Sequence, residues 1–317
     1  MVGQAPWHTH LSARMFESEF EIRDALKSII VEAQAAAEEA GVRYKGDPAA
    51  VTFSVKGLAQ RQSNAKSLVA AAGFDGVTFE QAVHPDFDSL DRSAPRSAAC
   101  VYEQFRARLT AITSIAAEMD GSPNLHSITI ADLNHRVRVG HLSGFPPRRA
   151  TAILGTIHRN LKRRAIPSKG IAVLEVSVAD IDGSRFFEPH IHAVIAGPTL
   201  EELGIATPKA AHINSKIEPV FHLQGHLLYM TKFKPEFRSS YEAENGKRSR
   251  RRNKMAPSNR AEWLSWYAQH GITELFISCG LRPTLIDTFL TADMGDLLDQ
   301  LGVRRPQRLP GSVLRPS

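Results

Sequence analysis

The first third of the chain follows the period of an α-helix. Apolar residues recur at three- and four-residue intervals in ESEFEIRDALKSIIVEAQAAAEEAG and in RSAACVYEQFRARLTAITSIAAEMDG, and each segment ends at a glycine, a common helix terminator. Turn residues in GFDG and HPDFDS separate the two segments. We therefore predict a mainly helical accessory or DNA-positioning region over residues 1–120.

From Leu125 onwards, strand patterns surround one amphipathic helix. LHSITIADL, GIAVLEVSVAD and FFEPHIHAVIAG are predicted strands, and the turn IDGS joins the last two. PPRRATAILGTIHRNLKRRAI begins with prolines and carries one apolar stripe, as expected of a helix that lies on a sheet. This order predicts an α+β fold with a central antiparallel sheet, helices packed on one face, and helical N- and C-terminal regions.

Helical patterns return after the hairpin. TLEELG begins with a capping box formed by Thr199 and Glu202, and FHLQGHLLYMTKFK is predicted to be a helix. SNRAEWLSWYAQHGITELFISCG and PTLIDTFLTADMGDLLDQLG indicate two or three more helices. The predicted organisation is an accessory region at 1–120, a sheet-containing domain at 121–237, a basic linker or loop at 238–256, a helical region at 257–303 and a disordered tail at 304–317.

Composition narrows the class of protein. Two cysteines, Cys100 and Cys279, among 317 residues indicate neither a disulfide framework nor a CxxC metal motif. No apolar run approaches membrane-spanning length, and the first residues carry no apolar signal segment. We expect a soluble cytoplasmic protein with no membrane partner. The sequence has no GxxxxGK(S/T) loop, which argues against a nucleotide-driven motor.

The positive charge is concentrated in one segment. The chain has a net charge of +6, and RSSYEAENGKRSRRRNK alone, residues 238–254, contributes a net of +5. A polyanion such as nucleic acid is the natural partner of such a run, and a solvated linker is the alternative. The candidate nucleic-acid-binding residues are Lys247, Arg248, Arg250, Arg251, Arg252 and Lys254.

The strand FFEPHIHAVIAG contains two histidines one residue apart. Because strand side chains alternate, His190 and His192 share a face. If Asp182 and Gly183 form the hairpin turn, Glu175 lies opposite His190 and the three side chains converge. Two imidazoles and one carboxylate suit Mg²⁺, Mn²⁺ or Zn²⁺, and phosphate oxygens from a substrate would favour the hard ions. Histidines satisfied within the core are the alternative.

A tyrosine and a lysine follow in HLLYMTKFK. On a helix, Tyr229 and Lys232 are three residues apart and share a face, with His226 one turn earlier. Beside a metal and a phosphate, such a tyrosine can act as a nucleophile on phosphorus. The alternative is that Tyr229 only packs against apolar neighbours.

Together, EPHIHAVI and YMTK resemble the histidine–hydrophobic–histidine and Tyr-x-x-Lys motifs of the HUH endonucleases, and SITI resembles their first strand motif. The motif order is similar to that of plasmid rolling-circle replication initiators over residues 125–236. The resemblance implies a small antiparallel sheet that holds Mg²⁺ or Mn²⁺ on His190, His192 and Glu175. It also implies that Tyr229 attacks a DNA phosphodiester, giving a 5′-phosphotyrosine and a 3′-OH primer, and that Lys232 orients the phosphate or stabilises its charge.

Some residues depart from the family pattern. SITI has one threonine where a pair is usual. Glu188, two residues before the first histidine, competes with Glu175 as the third metal ligand. Tyr241 lies beyond a proline, so the helix of Tyr229 does not position it as a second nucleophile. His226 is a candidate general base for which the family pattern gives no support.

The function expected from the resemblance is that of a metal-dependent, site- and strand-specific DNA nicking and joining enzyme that initiates rolling-circle replication. Its partner would be a replication origin, single-stranded or extruded at the nick, and a host helicase and polymerase would act afterwards. A single-tyrosine transposase of the same superfamily and a non-catalytic DNA-binding protein of the same fold are the alternatives.

Overall fold

The N-terminal region is helical, as predicted. The computed structural model describes residues 15, 18–42, 44, 53–87, 89–90, 94–181, 183–242, 248–281 and 292–303, and it describes only the backbone of 238–242 and 248–252. The first helices are α1 (Glu19–Glu39), α2 (Val55–Ala71), α3 (Gly76–Gln81), α4 (Val101–Thr110) and α5 (Ala116–Met119). A π-helical turn, Ala111–Ile115, joins α4 to α5. Their apolar side chains share one hydrophobic core with the sheet.

Most of the later helices are shorter than the sequence pattern predicted, whereas the helix Leu200–Ala206 extends two residues beyond the predicted segment. The later helices are α6 (Pro147–Arg163), α7 (Leu200–Ala206), α8 (Leu223–Met230), α9 (Pro257–Ala268), α10 (Ile272–Leu275) and α11 (Met294–Gln300). The predicted capping box of Thr199 and Glu202 begins α7. No described helix is both long and apolar enough to span a bilayer. The predicted tail, 304–317, lies outside the described residues.

One mixed sheet forms the centre of the fold. Its described strands are β1 (His126–Asp132), β2 (Val137–Arg138), β3 (Lys169–Ile181), β4 (Ser184–Ala196), β5 (Ile213–Pro219), β6 (Glu236–Glu242), β7 (Arg248–Lys254) and β8 (Phe276–Cys279). The order is β5–β1–β4–β3–β6–β7, with β2 also paired to β4 and β8 to β3. The pair β3–β6 is parallel, so the sheet is not antiparallel throughout as predicted.

The long hairpin of β3 and β4 has the predicted register. Asp180 pairs with Arg185, and Glu175 pairs with His190. Gly183 lies in the turn with a φ of 76°, a left-handed conformation that glycine adopts without steric cost. The predicted turn residue before it lies outside the described residues. Because register decides which side chains share a face, the histidine pair and the glutamate lie on the same side of the sheet.

Both faces of the two central strands are covered. Every residue of 170–179 on β3 and of 187–196 on β4 is buried. Successive side chains point to opposite faces, so burial of all of them requires cover on both sides. The prediction placed helices on one face, and the structure covers the second face as well. The near-continuous apolar runs AVLEVSVA and IHAVIA are typical of strands that are buried on both faces.

Two segments adopt strands where none was expected. FISC, predicted to be helical, forms β8 because Phe276–Cys279 pairs with the edge of β3 at residues 170–173. The predicted basic linker or loop instead begins and ends in paired strands, β6 and β7. Residues 243–247 between these strands lie outside the described residues. Strand pairing satisfies the backbone N–H and C=O groups along a sheet edge. The charge pattern of a segment does not show whether the segment will pair in this way.

A tryptophan closes the gap between β8 and β6. On that edge of β3, β8 pairs with residues 170–173 and β6 pairs with 178–179. In the gap, Trp263 of α9 donates its indole N–H to the carbonyl of Val176 at 2.9 Å. A buried carbonyl without a partner costs about 1–3 kcal/mol, so this bond fixes α9 beside the strand that carries Glu175.

Candidate metal centre and its tyrosine

Three buried side chains converge on one face of the sheet. Glu175 extends from β3, and His190 and His192 extend from β4. The Nε2 atoms of His192 and His190 lie 3.1 Å and 3.7 Å from one carboxylate oxygen of Glu175. One ligand atom from each residue lies within 4.8 Å of the other two, and each residue is at most 6 % exposed. The cluster could therefore hold a metal ion.

The second ring nitrogen of each histidine also has a partner. The Thr129 hydroxyl of β1 lies 3.0 Å from Nδ1 of His192, its cross-strand neighbour. Nδ1 of His190 donates to the carbonyl of Glu188 at 3.0 Å. Partners at Nδ1 fix the ring orientation and, for His190, leave the lone pair on Nε2, which is the atom that faces Glu175. The donor set and its supporting bonds fit a divalent cation.

The competing carboxylate, Glu188, is engaged elsewhere. Its Oε1 accepts two hydrogen bonds from the guanidinium of Arg136, at 2.8 Å and 3.1 Å. Charge-assisted contacts of this kind hold a carboxylate firmly. Within the described part of the chain, the converging set contains Glu175 rather than Glu188. The structure thus favours Glu175 as the third ligand.

Lys232 adds a buried positive charge beside this carboxylate. Its Nζ lies 3.4 Å from Glu175 and 3.3 Å from Glu236, and its side chain is 6 % exposed. Burial alone would raise the pKa of Glu175. The hydrogen bond from His192 and the charge of Lys232 outweigh burial and hold this pKa well below its usual range. Glu175 is therefore ionised, as a metal ligand must be.

Tyr229 stands on α8 at the edge of the cluster. Its ring centroid lies 5.8 Å from that of His192 and 4.4 Å from Nζ of Lys232. The tyrosine is half-buried, so part of it reaches solvent. Helix α8 ends at Met230, and the prediction that one helix carries both Tyr229 and Lys232 is wrong. A turn brings the lysine back instead, and Phe233 adopts a left-handed φ of 44° in it.

A glycine one turn before Tyr229 sets the position of α8. A Cβ atom on Gly225 would lie 2.4 Å from Cβ of Ala33 on α1. Only glycine allows the two helices this approach without a shift of the backbone. The neighbouring Gln224 donates to the carbonyl of Ile112 at 2.9 Å. The N-terminal helices therefore position the tyrosine, although the family resemblance does not extend to them.

The other predicted residues contribute less to the described geometry. His226 lies one turn before Tyr229, with 6.1 Å between the ring centroids. Lys254 is exposed at the end of β7. The side chains of Tyr241 on β6 and of Arg248, Arg250, Arg251 and Arg252 on β7, and the whole of Lys247, lie outside what the structure describes.

A second basic surface, on α6, was not predicted from the sequence. Residues 147–164 contain no acidic residue. Around Ala152 and Gly155, the face opposite the apolar stripe carries basic side chains at both ends of the helix. The exposed basic residues of this surface are Arg148, Arg149, Arg159, Lys162, Arg163 and Arg164. Counting charge along this helix, rather than only its apolar stripe, would have found it.

No protein-family model matches the chain, and neither a curated protein nor a solved structure is significantly similar to it. The functional interpretation therefore depends on the geometry of the site and on the motifs that build it.

Proposed function

We propose that this protein is a metal-dependent DNA nicking and joining enzyme of the HUH type that initiates rolling-circle replication. One observation carries the proposal. A half-buried tyrosine, Tyr229, stands beside a buried lysine and a converging glutamate and histidine pair. A nucleophile, a cation and a set of metal ligands are the groups that phosphoryl transfer to a protein side chain requires.

The proposed reaction exchanges one phosphoester bond for another. The phenolic oxygen of Tyr229 forms a bond to phosphorus while the bond from phosphorus to the 3′ oxygen breaks. The phenolic proton is lost and the departing 3′ oxygen gains one, so charge and atoms balance. Because the 5′-phosphotyrosine retains a phosphodiester, attack by a 3′-OH on it rejoins the strands. His226, beside Tyr229, is the candidate acceptor of the phenolic proton.

The other residues of the site prepare this attack. Glu175, His190 and His192 would hold Mg²⁺ or Mn²⁺, which supplies Lewis-acid polarisation of a phosphate oxygen. The ammonium of Lys232, 4.4 Å from the Tyr229 ring centroid, would offset negative charge as the phenol becomes a phenolate. Its ion pairs with two carboxylates hold it in place.

Basic surfaces support DNA as the substrate. The exposed face of α6 carries cations without a neighbouring acidic residue in its sequence, a pattern that suits a phosphate backbone. The second basic segment, on β7, lies on the same sheet as the metal ligands. A replication origin, with a host helicase and polymerase acting on the nicked product, is the proposed context.

A cleavage assay tests the proposal. Wild-type protein with Mn²⁺ is incubated with supercoiled plasmid and with labelled single strands, and the products are separated under denaturing conditions. We expect nicked plasmid and a denaturant-resistant protein–DNA adduct. Tyr229→Phe should abolish the adduct because it removes the attacking oxygen, and His192→Ala should abolish it by removing a metal ligand.

Matched variants separate this mechanism from its alternatives. His212→Ala removes a histidine outside the cluster, and Tyr241→Phe removes the tyrosine that follows Pro235 in the sequence. Both variants should leave the adduct intact. Nicking that persists in Tyr229→Phe would move the nucleophile to water or to Tyr241. Binding without cleavage by the wild type on every substrate would favour the non-catalytic DNA-binding protein. Insertion of a cleaved strand into a second DNA, without replication, would favour the transposase.

A further inference from the structure

A cleft opens between the N-terminal helices and α9. Its volume is about 360 Å³. Residues of α2, α4 and α9 line it, together with residues 232–235. The floor of the cleft is apolar and consists of Phe53, Leu58, Phe105 and Trp263, each at most 4 % exposed.

The rim of this cleft is strongly cationic. None of the described residues that line it is acidic, whereas five carry positive charge: Arg61, Arg108, Lys232, Lys234 and Arg260. Arg61, Lys234 and Arg260 are exposed, and the other two lie deeper. These residues come from α2, α4, α9 and the segment after α8, so the fold gathers charges that are distant in sequence.

Two of these positive charges, those of Arg61 and Arg108, lie close enough to interact. Burial and the charge of Arg61 lower the pKa of Arg108 to about 10. Two hydrogen bonds from the Arg108 guanidinium to the carbonyl of Thr231, at 3.0 Å and 3.3 Å, hold it against the end of α8. Both guanidinium groups would attract an anion in the cleft.

We propose that this cleft binds one nucleotide of single-stranded DNA next to the scissile phosphate. The phosphate would contact the arginines, and the base would lie over the apolar floor. The inference rests on the proposed function, because it assigns a place to the strand that Tyr229 attacks. Cationic grooves with apolar and aromatic surfaces are how proteins bind single strands. The volume, near the low end for ligand pockets, suits an unstacked nucleotide and excludes a duplex.

One residue, Lys232, connects the cleft with the metal centre. Lys232 lines the cleft, and its Nζ also lies 3.4 Å from Glu175 and 4.4 Å from the Tyr229 ring centroid. A strand with its phosphate at Tyr229 therefore has a neighbouring nucleotide within reach of the cleft. In this proposal, α2, α4 and α9 help to hold the substrate, although they lie outside the region of family resemblance.

A binding measurement tests this assignment without cleavage. The double variant Arg61→Ala/Arg260→Ala is compared with Lys56→Ala, which removes an exposed cation of α2 outside the cleft. All proteins carry Tyr229→Phe, and EDTA removes metal. Fluorescence anisotropy then measures the affinity for a short labelled single strand of mixed sequence. We expect the double variant to bind at least about tenfold more weakly, because a charge-assisted hydrogen bond accounts for roughly that factor.

The salt dependence gives a second readout. The slope of log affinity against log salt should fall by about 0.7 for each phosphate of the single strand that the protein no longer neutralises. Lys56→Ala should change neither affinity nor slope. Equal affinities of the double variant and Lys56→Ala would overturn the assignment. Displacement of the strand by an equal concentration of deoxynucleoside monophosphate would also overturn it, in favour of a site for free nucleotides.

Crosslinking keeps the assignment testable if the double variant misfolds. A single strand with photoreactive bases is crosslinked to the Tyr229→Phe protein, which retains the complete cleft. We expect crosslinks in peptides that contain residues 53–65, 99–108 or 260–264, and crosslinks confined to other peptides would overturn the assignment. Failure of the proposed function would appear separately, as the absence of an adduct with wild-type protein and Mn²⁺.

Discussion

The carboxylate of Glu175 lies closer to His192 than to His190, although His190 is its direct partner across the strands. The distances from Oε2 to Nε2 are 3.1 Å and 3.7 Å, respectively. The diagonal neighbour in a β-hairpin is within reach of a long side chain. The other oxygen, Oε1, lies 3.4 Å from Nζ of Lys232. One oxygen of this carboxylate thus faces the histidines, and the other faces the lysine.

A divalent metal ion should stabilise the fold through this cluster. For the wild type, we expect the free energy of unfolding to rise by about 2.7 kcal/mol when Mn²⁺ is present at roughly 100 times its dissociation constant. Thermal or denaturant unfolding with and without Mn²⁺ measures this difference. His192→Ala and Glu175→Gln should lose it, whereas His212→Ala, at a partly exposed histidine, should keep it. Full stabilisation of His192→Ala by Mn²⁺ would contradict the assigned ligands.

Thr129 should control metal affinity without binding the metal. Thr129→Val keeps the shape of the side chain but removes the hydroxyl that lies 3.0 Å from Nδ1 of His192. Loss of such a supporting bond weakens metal binding by about 10- to 100-fold. Isothermal titration calorimetry with Mn²⁺ measures the affinity, and Thr129→Ser should recover most of it. Equal affinity of the valine variant and the wild type would show that the hydroxyl does not orient the ring.

Lys232 should be required for stability as well as for reaction. Lys232→Met leaves Glu175 and Glu236 buried without their shared cation, and breaking a buried ion pair costs about 3–5 kcal/mol. Chemical denaturation should show a loss of this size in EDTA. Mn²⁺ should recover part of it, because a cation again offsets the charge of Glu175. Lys234→Met, at a neighbouring exposed lysine, is the control and should change stability little.

Helix α8 should lose its position if a side chain is placed on Gly225. Gly225→Ala puts Cβ 2.4 Å from Cβ of Ala33, and overpacking of this kind costs about 1–3 kcal/mol. Adding Ala33→Gly should recover the lost stability except for about 1 kcal/mol, which is the cost of a glycine within α1. Gly204→Ala, a helical glycine with no atom near the added Cβ, should be neutral or stabilising. If Gly225→Ala were as stable as wild type, this close approach would not position the tyrosine helix.

The basic face of α6 should contribute to affinity for duplex DNA. Arg148→Ala/Arg159→Ala removes one exposed cation from each end of this face. The slope of log affinity against log salt should fall by about 0.9 for each duplex phosphate that the protein no longer neutralises. Filter binding of a labelled duplex over a salt series measures the slope, with Lys56→Ala as the control. An unchanged slope would show that α6 faces solvent rather than DNA.

The sequence by itself determined which side chains meet on the hairpin. Within one hairpin, an Asp-Gly turn and the alternation of side chains fix the register, and the register places Glu175 opposite His190 with His192 on the same face. This information is local, so the rest of the chain is not required to predict it. The helical character of the N-terminal region and the capping box of α7 were determined in the same way.

Only the tertiary structure decided how the site is completed. Contacts between distant elements decide the bond from Thr129 to His192 and the pairing of Glu188 with Arg136. A turn with one left-handed residue decides the return of Lys232 after α8. Packing between segments far apart in sequence also decides three larger features: the parallel pairing of β6, the cover on both sheet faces and the cationic cleft. Periodicity reports which face of an element is apolar, but it does not report which other element will cover that face.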